Sequence, residues 1–176
     1  MDAPVYNFNS SNDFGTTWEE KILRKIQLVF PEACKPFESP LGDIMLHGKW
    51  FAEVKAETQS ANSKRCLFEY EKCVNHNPEN HREYETKPSC LTITESKYYI
   101  HCDTDNMIFI TPTDKLLAHI KTLGDVSWER NARFNQGGYD TFYNMVYVQY
   151  SALKTMSAWG YYHNLTADVI QKFMKP

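Results

Sequence analysis

The chain has 176 residues, a length that suits one domain. Hydrophobic residues make up 42%, enough for a core and too many for a disordered segment. The formal charge of −3 argues against indiscriminate polyanion binding, but it leaves room for acidic metal ligands beside a local basic groove.

No apolar run reaches the roughly 18 residues of a membrane span, and Met1-Asp2-Ala3-Pro4 carries no secretory pattern. The expected location is the cytoplasm. Cys34, Cys66, Cys73, Cys90 and Cys102 are scattered and odd in number, which fits reduced thiols.

Residues 1–15 are rich in Asn, Ser and Asp, lack periodicity and read as a mobile arm. Trp18, Ile22, Leu23, Ile26, Val29 and Phe30 recur at helical spacing, which predicts an amphipathic helix over 17–30. Thr16 and Thr17 suit its N-cap, and Pro31 and Pro36 end it. Residues 43–46 and 50–56 predict a β-hairpin. His47-Gly48-Lys49 suits a three-residue loop with Gly48 at positive φ. That loop pairs Leu46 with Trp50, and hence Asp43 with Glu53. Lys55, two residues on, faces the same way. Ile44, Leu46, Trp50, Ala52 and Val54 then gather on the opposite face, which favours this register over a two-residue loop.

Residues 66–71 predict a third strand, with Glu69 and Glu71 on one face, and residues 75–88 read as a polar insertion. Residues 98–102 and 107–111 predict a second hairpin across Asp103-Thr104-Asp105-Asn106. Thr113 is the expected cap of a short helix carrying Leu116, Leu117 and Ile120. Gly137-Gly138 marks a loop, residues 145–149 suggest a further strand, and Thr166 caps a final helix with Val169, Ile170 and Phe173.

The chemistry-bearing pattern is Asp43-x9-Glu53-x-Lys55. Mg²⁺ takes oxygen ligands and keeps several waters, so Asp43, Glu53 and the backbone carbonyl of Val54 form a sufficient donor set. Lys55 would position an attacking water or neutralise charge on a phosphate. The same three residues also suit an ordinary solvated sheet face. Glu19 or Glu20, from the opening turn of the first helix, offers a further acid. Thr16-x-x-Glu19 and Thr17-x-x-Glu20 equally fit a capping box. Lys97, Arg130 and Arg133 are candidate phosphate contacts. Cys73, His76, His81, Cys90, His101 and Cys102 could be assembled into a zinc site, but they lack two close pairs.

A helix acid, then Asp43, then Glu53-Val54-Lys55 resembles the PD-(D/E)XK nuclease superfamily, and Pro40-Leu41-Gly42-Asp43 is a loose version of its first half. Leu67-Phe68-Glu69-Tyr70-Glu71 and Lys87-Pro88-Ser89-Cys90, with Thr94-Glu95-Ser96-Lys97-Tyr98-Tyr99 behind them, look like segments of phage-encoded endonucleases and Holliday-junction resolvases. The resemblance implies an α/β, restriction-endonuclease-like fold with a central mixed β-sheet flanked by helices. It implies Mg²⁺- or Mn²⁺-dependent hydrolysis of DNA. Asp43, Glu53 and Lys55 match the core motif, and Glu19 matches the helix acid better than Glu20. A homodimer would suit a cut through two strands. Cys90 stands where the family has Gly, and the 75–85 insertion is long; both departures bear on substrate choice.

Overall fold

The computed structural model describes residues 8–37, 42–58, 60–75, 84–88, 90–123, 129–130, 134–136 and 139–174. Its elements in chain order are α1 (Phe8–Gln27), β1 (Ile44–Leu46), β2 (Trp50–Glu57), α2 (Ser60–Ser63), β3 (Arg65–Asn75), β4 (Tyr84–Pro88), β5 (Ser96–Asp103) and β6 (Met107–Pro112). There follow α3 (Thr113–Thr122), β7 (Glu129–Arg130), β8 (Phe134–Gln136), β9 (Tyr139–Gln149), α4 (Tyr150–Met156), β10 (Ala158–Tyr161) and α5 (Ala167–Phe173).

The central sheet runs β1-β2-β5-β6-β10. β2 and β5 are parallel and the other pairs antiparallel, so the sheet is mixed and flanked by helices, as expected. Its two central strands are buried on both faces. Tyr98, Ile100, Cys102, Ile108 and Ile110 join one core with Trp18, Ile22 and Ile26 of α1 and Ile170 of α5. Tyr99 and Phe109 join a second core with Leu116 and Ile120 of α3 and Leu153 of α4. Two-sided burial is why Ile108-Phe109-Ile110 reads as an unbroken apolar run instead of alternating.

The second core is closed by a feature the sequence reading did not foresee, a second sheet in the order β4-β3-β9-β7, with β8 also on β9. Cys66, Phe68, Val146 and Val148 supply its apolar side. β3 therefore leaves the site's sheet, and Glu69 goes with it. A bulge sets Glu69 opposite Met145 and Glu71 opposite Asn144. Successive β9 positions point to opposite faces, so the two acids do not share one. Part of the expected insertion, Tyr84–Pro88, is strand β4 paired to β3. Residues 76–83 and Gly137-Gly138 lie outside the described residues.

Two capping expectations fail. The first helix begins at Phe8, inside the expected arm, so Thr16 and Thr17 are mid-helix. The Thr17 hydroxyl donates back to the Asp13 carbonyl at 2.7 Å. Thr113 is the first residue of α3 and not its cap; Pro112 holds that place and gives no side-chain hydrogen bond. Thr166 does cap α5, accepting from the Val169 amide at 3.4 Å.

The β1–β2 hairpin has the expected register, with Leu46 opposite Trp50 and Ile44 opposite Ala52. Both turn residues, His47 (φ 52°) and Gly48 (φ 66°), adopt positive φ, and the Lys49 amide donates to the Leu46 carbonyl at 3.2 Å. This is the turn type whose twist matches paired strands. His47 tolerates the conformation while held by Glu32 at 2.8 Å and by edge contacts with Phe30 and Trp50.

Before the hairpin, buried Gly42 takes φ 156°. A Cβ there would collide with Ser96 Oγ and lie 2.9 Å from the Phe51 Cβ. Gly42→Ala is expected to destabilise the fold by about 1–3 kcal/mol through overpacking. Gly48→Ala, in open space, is expected to cost about 1 kcal/mol from backbone strain alone. Urea midpoints of the two variants check the order.

Candidate metal and phosphodiester site

β1 has only three residues, so β2 outruns it on that edge. Asp43 sits just before β1, where the paired register ends with Ile44 opposite Ala52. Its amide donates to the Ala52 carbonyl at 3.0 Å, and its Oδ2 accepts the Val54 amide at 2.7 Å. The carboxylate thus replaces the ladder partner that β1 no longer supplies. A strand residue's N–H and C=O leave toward the same edge. The Val54 carbonyl is therefore directed to the side on which Asp43 lies.

Glu53, Lys55 and Glu57 alternate with buried Ala52 and Val54 along β2, as a period of two requires. The Lys55 ammonium lies 3.1 Å from Glu53 Oε1, with Lys55 side-chain exposure of 40% against 15% for Glu53. The lysine is thus the more available partner. Glu19 is in mid-helix and cannot be a capping-box residue. It pairs with Lys35 at 3.1 Å.

The charges of these residues meet at Asp43. Burial is the largest influence, followed by the charge of Glu53, and together they raise its pKa to about 6. The Val54 hydrogen bond opposes the shift, Glu19 adds to it, and Lys55 lowers it. The structure thus brings Asp43, Glu53, Lys55 and Glu19 into one electrostatic group.

Among the described residues no three His, Cys, Asp or Glu side chains are gathered closely enough to hold a metal ion. The oxygen donors at the hairpin edge are two carboxylates and the Val54 carbonyl, with Glu19 at charge–charge range. Zinc has no support from His101 and Cys102, which point to opposite faces of β5. His101 lies against Phe68 of the second sheet, and Cys102 lies in the α1-side core. The side chains of Cys73 and Cys90, like His76 and His81, are outside the described set.

Of the expected phosphate contacts, Lys97 is exposed and its ammonium lies 4.3 Å from the Trp50 ring centroid, next to the hairpin. Arg130 is in β7, its side chain outside the described set, and Arg133 lies outside the described residues.

Sequence reading missed Lys35 and Glu57. Nothing in the spacing marks Lys35, whose approach to Glu19 depends on the loop after α1. Glu57 was legible as the next same-face residue after Lys55. Its carboxylate accepts the Leu67 amide at 3.0 Å, and burial pushes its pKa to about 8 against the opposing pull of Leu67 and Lys55. Burial holds the His101 pKa down to about 3. The 3.9 Å approach of His101 Nε2 to Glu57 therefore joins neutral groups near neutral pH. His101 Nε2 also meets Ser60 Oγ at 3.2 Å. Asp103, opposite Glu57, takes the Tyr150 hydroxyl at 2.6 Å and the Met107 amide at 2.8 Å.

Comparison of the chain with protein-family models, curated proteins and solved structures finds no match. No helix among the described residues is long and apolar enough to cross a membrane.

The raised Asp43 pKa has a stability consequence. The folded value lies above the ordinary 3.8, so ionised Asp43 costs stability that is absent below about pH 4 and fully present above about pH 6. Asp43→Asn keeps an oxygen for the Val54 amide. It is expected to gain about 2 kcal/mol at about pH 8 and nothing at about pH 3. Urea unfolding at the two pH values measures this; an equal gain at both would refute the electrostatic origin.

Proposed function

We propose that this protein is a metal-dependent DNA endonuclease of the PD-(D/E)XK type, with its site on the β1–β2 hairpin. The observation that carries the reading is the convergence of Asp43, Glu53 and Lys55 at one strand edge, with Glu19 in charge range. The ordered flanking segments that resemble phage-encoded nucleases add to it.

The donor set suits Mg²⁺ or Mn²⁺, being oxygen only. Asp43, Glu53 and the Val54 carbonyl would hold the ion. Bound there, the ion supplies Lewis acidity at a phosphoryl oxygen and lowers the pKa of a coordinated water. Asp43 is disfavoured as an anion by burial and by two neighbouring acids, so a nearby divalent cation relieves a cost already present. Lys55 exchanges its Glu53 partner for the phosphate, orienting the attacking water and offsetting the charge that grows on the phosphoryl oxygens. Water attacks phosphorus directly and gives up a proton to solvent, one P–O ester bond breaks, the departing oxygen takes up a proton from solvent, and no covalent enzyme intermediate forms.

A second reading is a non-catalytic protein on the same scaffold that binds DNA or another protein. It is favoured by the structural partners that the site's acids already have, Asp43 on the Val54 amide and Glu53 on Lys55. The two readings separate in one assay, purified protein with plasmid or branched DNA and Mg²⁺ or Mn²⁺. The nuclease reading expects nicking or linearisation, lowered by about 100-fold or more in Asp43→Ala and in Lys55→Ala. Cleavage that persists in both variants would remove these residues from the chemistry. Absence of cleavage on duplex, single-stranded and branched DNA would leave the binding reading. Mg²⁺ is also expected to raise the melting temperature of the wild type and not of Asp43→Asn.

A further inference from the structure

The first sheet ends at β10, and no described strand pairs with the outer edge of that strand. We propose that this edge is where two copies of the chain join, β10 against β10 and antiparallel, about a twofold axis through Gly160.

An open sheet edge is a template for another strand, and proteins blunt such edges with prolines, charges, bulges or brevity. The other edges here are blunted. β1 has three residues, and Met45 pairs with Cys34 through an isolated bridge. β4 carries Glu85, Lys87 and Pro88, and β7 has two residues, both charged. β10 reads Ala158-Trp159-Gly160-Tyr161, with no proline and no charge, and it pairs with β6 without a bulge. Trp159 and Tyr161 stand on the same face of it and are 47% and 44% exposed.

The edge is also self-complementary. Along a strand the backbone groups turn alternately to one side and the other. The Tyr162 amide donates to the Asn106 carbonyl at 2.7 Å, so Tyr162, and with it Gly160 and Ala158, turns toward β6. Trp159 and Tyr161 therefore present their N–H and C=O groups outward. A twofold axis perpendicular to the sheet at Gly160 sets Trp159 opposite the second copy's Tyr161. Each such pair exchanges both of its backbone hydrogen bonds, and every outward group of the strand finds a partner. The axis preserves the faces of the sheet, so an exposed indole also meets an exposed phenol, a stabilising cross-strand combination. Neighbours already hold both rings. The Lys154 ammonium lies 4.3 Å from the Trp159 centroid, and Tyr161 stacks on His163 at 5.7 Å and 14°. Less side-chain freedom is then lost on pairing. On the opposite face Gly160 meets its own copy, and a Cβ built there touches nothing within 4 Å. A glycine within a strand suits the close approach of another backbone. A foreign strand could satisfy the same backbone groups, but a second copy also matches the aromatic pair and the glycine by symmetry.

With the axis perpendicular to the sheet, both copies turn α1 to the same side and carry their β1–β2 hairpins at the two outer edges. Paired sites of this kind suit two-strand cutting. That consequence rests on the nuclease reading; the interface does not.

Sedimentation equilibrium of the full chain is the test. A four-residue edge is small, so a dimer that dissociates on dilution is expected, with a Kd of about 1–200 µM. Tyr161→Pro removes an outward N–H at a residue whose φ of −82° already suits proline. Trp159→Lys puts a charge on the edge. Each variant is expected to weaken the dimer about tenfold or more, with an unchanged circular-dichroism spectrum. Gly160→Cys reports the register. The facing glycines would stand about 4.5 Å apart between Cα atoms, within disulfide reach. Mild oxidation is therefore expected to link this variant into a covalent dimer and not the wild type. Monomer at every concentration up to about 500 µM overturns the proposal, whatever strand or nucleic acid the edge then takes. A dimer that both substitutions leave intact, or that Gly160→Cys does not cross-link, is built elsewhere and overturns it too. Dimerisation through this edge without cleavage of any DNA would sink the nuclease reading and keep the interface; cleavage by a strictly monomeric protein would do the reverse.

Discussion

The hydrogen bond from the Val54 amide to the Asp43 carboxylate, at 2.7 Å, closes the one edge of β2 that β1 is too short to cover. The site's other features follow from it. It fixes Asp43 at the level of Glu53 and aims the Val54 carbonyl toward the same edge. It also keeps Asp43 from turning outward, where its charge would be solvated and ordinary. The bond is possible only in the register set by the turn at His47 and Gly48. A slip of one residue would carry Asp43 to the face that α1 covers.

The acids around Asp43 are held at an electrostatic cost and are partly offset by lysines. Glu53 has Lys55, and Glu19 has Lys35. Asp43 is held by the Val54 amide, and burial with the charge of Glu53 raises its pKa most. The group least compensated by the protein is thus the one at the centre. Each lysine is more exposed than its acid, 40% against 15% and 39% against 27%. The cations can swing away while the carboxylates stay fixed, an asymmetry that suits a site whose anionic ligand arrives from solvent.

Much of this was legible in the sequence where the information was local. The hairpin register followed from one loop and the apolar alternation of Ile44, Leu46, Ala52 and Val54. Thr166 could be identified as a cap because nothing distant competes for its hydroxyl. The failures are non-local. The apolar stripe reaches back to Phe14, four residues before Trp18, but the helix start at Phe8 lies beyond it, where periodicity gives no signal. Thr113 looks like a cap, but β6 continues through Pro112 and moves the helix boundary by one residue. The second sheet depends on β3 pairing with β9 across about seventy residues, and neither strand's composition names its partner. The one-face expectation for Glu69 and Glu71 fails for the same reason, since the bulge lies where β3 pairs with β9. Chain order after Glu53-Val54-Lys55 suggested a neighbouring strand, but the parallel neighbour of β2 is β5.

The pairing of β2 with β5 gives the strongest physical ground for treating the hairpin as more than scaffold. Glu53, Lys55 and Glu57 stand in register with Tyr99, His101 and Asp103, all three of which are buried. A strand beside such neighbours ordinarily carries apolar residues on that face, because charges next to a core lose solvation. Here Glu53, Lys55 and Glu57 occupy it in succession, and the sheet tolerates Asp43 and Glu57 with pKa values pushed to about 6 and about 8. Removing these carboxylates is the simplest route to a more stable sheet. Asp43 carries that cost at the edge toward which the Val54 carbonyl is directed, the pattern expected when stability is given up for a ligand.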